Sequence, residues 1–327
     1  MRKVCLFKSS SNDPTFNLAL EQYLFEKKKN EIYIYLWQND HTVVIGRYQN
    51  IFEEVDMDYA KEQDIRIVRR DTGGGAVYHD LGNLNYSFIV DSESDSLKYC
   101  SCLLGDVLNE FGIKYCFEGR NDILVDGFKV SGTAQHENDG KILHHGTLLV
   151  DSNLEVMQRV LTRNNKISDS KSTKSNPHRV GNLAALAPQP VRVNDIITTF
   201  EEVTGCHPRT FEENDGRKVD RIEELIRDKY SNDKWTFGFQ PEFNFKNTKR
   251  FSSGSVSIDA HIENNIIQSI NFSGDFFALK DIDELEMILV GCKLSDDLVS
   301  ILDKHKGGEY IKGVSSAELA GMIQLTF

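Results

Sequence analysis

RRDTGGGAVYHDLGNLNYS, Arg69 to Ser87, packs two guanidiniums, three consecutive glycines, a His-Asp pair and a strand-like tail into one segment. Gly73, Gly74 and Gly75 remove every Cβ from the turn, so the backbone can reach positive φ and its N–H groups can approach an anion closely. Arg69 and Arg70 add planar donor forks suited to phosphate or carboxylate oxygens. The segment therefore reads as a phosphate cradle. It is not a Walker A loop, because no Gly-Lys-Ser/Thr follows, and it lacks the G-x-G-x-x-G spacing of a dinucleotide fingerprint. On its own, a run of glycines is equally the punctuation of a hairpin turn between solvated arginines.

Outward from this segment, strands are expected at Glu31–Trp37, Thr42–Ile45, Arg66–Val68 and Asn83–Val90 from their β-branched and aromatic content. A helix is expected over Asp13–Lys28, with Asn12 or Asp13 as cap, Pro14 in the first turn, and Phe16, Leu20, Tyr23 and Leu24 on one face. A second helix covers Leu97–Phe111 and stops at Gly112. Asp122–Val125 and Phe128–Val130 flank Asp126-Gly127, a strong two-residue hairpin signal, and a further strand runs from His144 to Asp151. Val193–Thr204 and Asp220–Tyr230 read as helices. The fold class expected is α+β: a mixed, largely antiparallel sheet flanked by helices. A polar stretch at Asn244–Arg250 separates residues 1–246 from a small α+β C-terminal domain, residues 247–327, with strands at Gly254–Ile262 and Ile266–Ser273 and helices starting at Asp281 and Ser295. About 80 residues is a small core, so this domain is expected to lean on the first.

The chain has 327 residues, 39% of them hydrophobic and 27% charged, and no apolar run approaches the roughly 18–20 residues that span a bilayer. The apolar run near the N-terminus is too short for a signal peptide, so a cytoplasmic protein with no membrane partner is expected. The net charge of −12 argues against a nucleic-acid partner. Positive charge is local: Arg159, Arg163, Lys166, Lys171, Lys174 and Arg179 face a single acid, Asp169, in a Ser- and Asn-rich segment that reads as a surface loop. Six scattered cysteines offer no paired zinc spacing and read as reduced.

Three further elements carry possible chemistry. Asn121 and Asp122 open the hairpin with oxygen ligands for a hard cation, or simply a turn. Lys129 stands between Phe128 and Val130, so its side chain leaves the strand on the opposite face, towards solvent or a cleft. His144 and His145 must face opposite sides of their strand, so one of them is structural.

In combination and order, these segments resemble the lipoate-protein ligase A family. The match runs through WQNDHTVVIGRYQN (Trp37–Asn50), RRDTGGGAVYHDLGNLNYSF (Arg69–Phe88), RND (Arg120–Asp122), KVSGTAQ (Lys129–Gln135), HHGTLLVD (His144–Asp151), HRVGNL (His178–Leu183) and WTFGFQPEFN (Trp235–Asn244), essentially the whole chain. The resemblance implies a large domain similar to biotin protein ligases and class II aminoacyl-tRNA synthetases plus an accessory C-terminal domain. It implies a two-step reaction in which lipoate and ATP with Mg²⁺ give lipoyl-AMP and pyrophosphate, and the lipoyl group passes to a lysine of a lipoyl domain. Acceptors implied are acyltransferase subunits of 2-oxoacid dehydrogenase complexes and the glycine cleavage H protein; no motif reads on oligomeric state, and a monomer is expected.

By matching motif position, Lys129 is the catalytic lysine touching both lipoate and nucleotide. Arg70, Gly73, Gly74, Gly75, Ala76, Val77, Tyr78, His79, His145, Gly146 and Arg179 fall in the ATP and lipoyl-AMP set. Trp37, Val44, Arg70, Gly75 and Val77, with Tyr78 as a further wall, fall in the lipoate set; Asn121 and Asp122 are the Mg²⁺ candidates. The segment Arg163–Leu183 corresponds to the family's adenylate-binding loop, expected to order over the nucleotide. No cysteine occurs from Lys129 to Asp151, which disfavours an octanoyl/lipoyl amidotransferase working through a thioester. A lipoyl-AMP:protein transferase lacking the activation step stays open as the alternative. A non-enzymatic binding module would be expected to have lost Lys129 or the glycine loop, and both are present.

Overall fold

The computed structural model describes residues 3–28, 30–92, 96–118, 122–161, 180–211, 220–238 and 243–324. They fall into two compact units, one of Met1–Val44, Phe52–Arg69 and Val77–Thr236, the other of Ile45–Ile51, Arg70–Ala76 and Phe237–Phe327.

In the first unit the strands are β1 (Val4–Ser9), β2 (Ile32–Trp37), β3 (Thr42–Ile45), β4 (Arg66–Arg69), β5 (Val77–His79), β6 (Asn83–Asp91), β7 (Tyr115–Glu118), β8 (Asp122–Val125), β9 (Phe128–Ser131), β10 (Thr133–Asn138), β11 (Lys141–Leu149) and β12 (Arg209–Phe211). Six of them form one sheet in the order β10-β11-β6-β2-β1-β12, with two three-stranded sheets, β4-β3-β5 and β7-β8-β9, beside it. β1 runs parallel to β2 and β12, whereas β2/β6, β6/β11 and β10/β11 are antiparallel. The parallel step from β1 to β2 is made by the helix Pro14–Lys27, as a crossover requires. The expected mixed sheet flanked by helices is what forms.

β6 is central and buried on both faces, which is why its sequence reads as a near-continuous run. Leu84, Tyr86, Phe88 and Val90 point to one side, packing with Ile34 and Leu36 against Leu103, Leu104, Val107 and Leu108 of the helix Ser96–Glu110 and Ile196, Ile197 and Phe200 of the helix Val193–Thr204. Ile89 points to the other, with Tyr35, Trp37 and Leu143, against Phe16, Leu20 and Leu24 of the helix Pro14–Lys27 and Ile222 and Leu225 of a later helix. Each such buried side chain contributes about 1.5–3 kcal/mol.

Capping and turn chemistry behave as read. Asp13 accepts from the backbone N–H groups of Thr15 (2.8 Å) and Phe16 (3.1 Å), and Asp126 (φ 49°) and Gly127 (φ 79°) make the left-handed pair that closes β8 onto β9. Strands β1, β5, β7, β10 and β12 were not anticipated: β1 has too short an apolar run, and the polar Thr-Ala-Gln-His-Glu-Asn of β10 is held by its ladder to β11, not by alternation. The six cysteines are free thiols. Among the described residues no helix is long and apolar enough to cross a membrane.

In the second unit β13 (Phe245–Phe251), β14 (Gly254–Glu263) and β15 (Ile266–Gly274) form an antiparallel meander. The polar stretch 244–250 is thus largely the edge strand β13. Helices Ile282–Leu289, Leu298–Lys304 and Ser316–Gln324, the last not anticipated, pack Leu285, Leu302, Leu319 and Met322 on Val256, Ile258, Ile267 and Phe272.

This core holds a half-buried carboxyl. Glu286 Oε1 accepts the Phe272 N–H at 2.9 Å, and burial, with Asp283 and Asp281 acting in the same sense, pushes the carboxyl up to about 7. A folded pKa above the unfolded one means the native state holds the extra proton, so this stability is complete below the unfolded value near 4.5 and is lost as pH rises through about 7. Glu286→Gln keeps an acceptor without the charge. It is expected to stabilise the protein by about 1–2 kcal/mol at pH 8, solvent screening included, and by nothing at pH 4.5. Urea unfolding at both pH values checks this, and a pH-independent difference contradicts it.

Candidate active site

Lys129 is the best-defined candidate side chain of the first unit. In the β8/β9 hairpin Leu124 pairs with Lys129 and Ile123 with Ser131, so the register slips by one residue at a bulge. Asp122 and Leu124 share a face of β8, which brings the Asp122 carboxylate to the lysine, Nζ to Oδ2 2.7 Å, with each side chain about one-third exposed (32% and 34%). Val130 is fully buried, as the strand alternation requires. The Lys129 carbonyl accepts the Gly181 N–H at 3.0 Å, so the described end of the HRVGNL motif pins the lysine's backbone. Gly181 itself is needed for approach: a Cβ there would lie 2.9 Å from Phe128 Cβ. Asn121 and residues 163–179 of the expected adenylate loop, Arg179 among them, lie outside the described residues.

The two histidines separate as their strand demands. His144 stacks on Phe88, its ring nitrogen Nδ1 lies 3.0 Å from Gln135 Nε2, and burial, then neighbouring His145, pushes its pKa down to about 4. It is the neutral, structural member. His145 turns to the opposite face, where its Nδ1–H donates to Glu21 at 2.9 Å. Glu21 also accepts from Ser87 Oγ, which in turn accepts the Trp37 indole N–H at 2.9 Å. The buried chain Trp37–Ser87–Glu21–His145 thus joins two residues expected in the site through two that were not.

Trp37, Val44 and Val77 do meet, in the cluster containing Tyr35, Ile89 and Leu143, and Val44 pairs with Val77 across β3/β5. His79 presents its ring to the edge of Trp37 (6.0 Å) and contacts Asn39 Nδ2 at 3.2 Å. Tyr78, between Val77 and His79, points the other way, its ring 6.2 Å from that of His41. Gly146 is bare for a packing reason: a Cβ would sit 2.4 Å from the Tyr86 hydroxyl, itself 3.2 Å from Ser131 Oγ.

Asn17, Glu21, Asn83 and Asn85 were missed by sequence reasoning. Asn17 and Glu21 lie four residues apart on the helix Pro14–Lys27, and both are buried, because the helix packs more than an apolar stripe against the sheet. On β6, Asn83 Nδ2 donates to Asn85 Oδ1 at 3.0 Å, leaving Asn83 Oδ1 and Asn85 Nδ2 buried without a partner among the described residues. Two desolvated carboxamides with one acceptor and one donor unspent are suited to a ligand that both donates and accepts. The only sequence signal was polar residues inside a run otherwise reading as a fully buried strand.

Arg69 is not aimed at an anion. It is buried, donates through Nε and Nη2 to the carbonyls of Trp235 and Thr236 at 2.7–3.0 Å, and burial lowers its pKa to about 10. In the second unit, Arg70 Nε donates to Thr72 Oγ1 (2.9 Å) and Nη2 to the carbonyls of Gly73 (2.7 Å) and Gly75 (2.8 Å), wrapping the glycine loop around its guanidinium. The three glycines differ: Gly74 alone has positive φ (+91°), Gly73 makes a close approach, and Gly75 is exposed with none of the described residues within 4 Å of where a Cβ would stand. Ala76 follows at the end of this loop.

Compared with known proteins, residues 13–204 match the family described as the lipoyl protein ligase A/B catalytic domain, and residues 240–323 match the bacterial lipoate protein ligase C-terminus. The chain belongs to the lipoate-protein ligase family. The ligase is 35% identical over 322 residues to lipoate-protein ligase LplJ of Bacillus subtilis (strain 168), covering 92% of this chain and 95% of that one. Its fold is similar to that of P. falciparum LipL1 solved in complex with lipoate, with a TM-score of 0.81 over 98% of this chain and 99% of that one at 22% identity. It is also similar to a lipoate-protein ligase A solved with ATP bound: TM-score 0.60, 25% identity, 73% of this chain and all of that one.

Glu21 of the ligase provides a direct test of the buried chain. Glu21→Ala strands the His145 and Ser87 donors, each at about 1–3 kcal/mol. Lower stability in urea and altered Trp37 emission in a Trp235→Phe background are expected. Unchanged emission and stability would remove Glu21 from the network.

Proposed function

We propose that this ligase activates lipoate with ATP to lipoyl-AMP, releasing pyrophosphate, and then transfers the lipoyl group to a lysine of a lipoyl domain. The observation that carries this reading is Lys129, one-third exposed, braced by Asp122 at 2.7 Å and pinned through its own carbonyl. In the first step a lipoate carboxylate oxygen attacks the α-phosphorus and pyrophosphate leaves, so two anions must approach. The Lys129 ammonium offsets the charge growing on the phosphoryl oxygens. In the second, the acceptor amine attacks the acyl carbonyl and AMP leaves, with the same ammonium polarising the carbonyl.

The apolar cluster of Trp37, Val44 and Val77 suits the acyl chain, worth about 0.8 kcal/mol per buried CH₂. We assign the nucleotide to Arg70, Gly73–Gly75, Ala76–His79, His145, Gly146 and Arg179, and lipoate also to Arg70 and Gly75, by family resemblance. Arg70 shapes the loop that receives the phosphates. Among the described residues no group of three or more His, Cys, Asp or Glu could hold a metal ion. Asp122 nevertheless fits Mg²⁺, which is held by one or two carboxylates together with substrate phosphates. Asp122 and Asn121 would hold it, and the ion would supply charge neutralisation at those phosphates. We place the enzyme in the cytoplasm as a monomer, residues 1–246 carrying the chemistry and 247–327 accessory, with acceptors among 2-oxoacid dehydrogenase acyltransferase subunits and the glycine cleavage H protein.

The test is lipoate-dependent pyrophosphate release with ATP and Mg²⁺, followed by lipoylation of a panel of purified acceptor domains. Transfer from supplied lipoyl-AMP without any pyrophosphate release would make the protein a transferase lacking the activation step.

A further inference from the structure

The turn after β15, Gly274-Asp275-Phe276-Phe277, lies against the glycine loop inside the second compact unit. A Cβ on Gly73 would meet the Phe276 carbonyl oxygen at 2.4 Å, and the Gly74 N–H points to that same oxygen at 3.4 Å. Phe276 is fully buried, and its ring is stacked on Tyr48, centroids 5.0 Å apart and planes 12° from parallel. Tyr48 is tied back to the turn, its carbonyl accepting the Gly274 N–H at 2.7 Å.

The segment carrying Tyr48 is fastened to the glycine loop independently. Arg47 N–H donates to the Thr72 carbonyl (2.9 Å) and Arg70 N–H to the Ile45 carbonyl (3.0 Å). Gly46 lies so close that a Cβ would be 2.1 Å from the Gly74 carbonyl oxygen. Arg47 spans both sides, 3.2 Å from Asp71 in the loop and 3.7 Å from Asp281 beyond the turn. The loop backbone is therefore clamped between the 45–48 segment and the 274–277 turn, while Gly75 is left exposed.

We infer that Phe276 and Tyr48 are positioning residues for the nucleotide: their stack fixes the Gly73–Gly74 backbone in its ligand-receiving shape before ATP arrives. A loop ordered in advance does not lose its conformational entropy on binding, and of the residues assigned to lipoate, Lys129, Trp37, Val44 and Val77 lie outside the loop, so the clamp acts on ATP affinity more than on lipoate affinity. Neither side chain touches the reacting atoms in this account. The inference rests on the glycine loop being the ATP cradle.

The experiment compares Phe276→Leu, Tyr48→Leu, the double variant and Tyr48→Phe, which keeps the stacked ring, in lipoate-dependent pyrophosphate release. Each Leu variant is expected to raise KM for ATP on the order of tenfold while KM for lipoate stays within about twofold. The double variant should be no worse than either single, because both break one stack, and Tyr48→Phe should match wild type. Tyr48 is only partly buried, so Tyr48→Leu supplies the readout if Phe276→Leu does not fold. Unchanged KM for ATP in a folded Leu variant, or equal rises in both KM values, overturns the proposal. If wild type releases no pyrophosphate, the activation reading is what fails, and direct titration of ATP into the same variants decides the clamp.

Discussion

Lys129→Ala is expected to lower lipoate-dependent pyrophosphate release by at least about 10²–10³-fold, the usual scale for removing one preorganised charge from a developing oxyanion. Stability should hardly move. The Lys129–Asp122 pair is about one-third exposed on each side, and such ion pairs are worth roughly 0–1 kcal/mol. Activity and stability therefore separate cleanly in this variant. Lys129→Arg should not restore turnover, because a rigid planar fork cannot follow the course of a flexible ammonium stem or reproduce its compact charge. A folded Lys129→Ala protein with full pyrophosphate release would remove the lysine from the chemistry.

Gly146→Ala is expected to show the opposite pattern, with stability falling first. The added Cβ would sit 2.4 Å from the Tyr86 hydroxyl, 2.6 Å from its Cζ and 2.9 Å from the Gly132 carbonyl oxygen. Tyr86 is fully buried, so it cannot swing aside without disturbing the core beneath β6, and overpacking of this kind costs about 1–3 kcal/mol or more. Activity should fall with it. Tyr86 bonds Ser131 on the strand of Lys129, and Thr147 N–H donates to the Gly132 carbonyl at 3.0 Å. Gly75→Ala, with none of the described residues within 4 Å of the new carbon, should stay within about 0.5 kcal/mol of wild type. Urea unfolding of the two variants makes the comparison. Partial recovery in Gly146→Ala/Tyr86→Phe, which removes the nearest offending atom, would identify the hydroxyl as the obstacle, and no recovery would move the clash to the Gly132 carbonyl.

The β8/β9 hairpin, the capped helix after Asp13 and the stop at Gly112 were legible along the chain, because turns and caps act over a few residues. Seven motifs in order were sufficient for the family, since each preserves a local backbone shape together with a side-chain type. Strand alternation alone separated His144 from His145, but not which of them shared a face with Trp37.

Other features were invisible because the residues that decide them are far apart in sequence. Asn17 and Glu21 look like the polar face of an amphipathic helix, and only the partners Tyr35, Ser87 and His145 show why they can be buried. Arg69 and Arg70 look like one anion fork, yet one donates to Trp235 and Thr236 and the other to its own loop. Gly73, Gly74 and Gly75 are identical letters with separate duties, set by the Phe276 carbonyl, by a positive φ and by open space. By itself the sequence determined the family, most of the local elements and the lysine we propose for the chemistry. Only the tertiary structure decided which polar groups are buried and what each glycine accommodates, because burial and steric contact depend on neighbours that folding, not chain order, brings together.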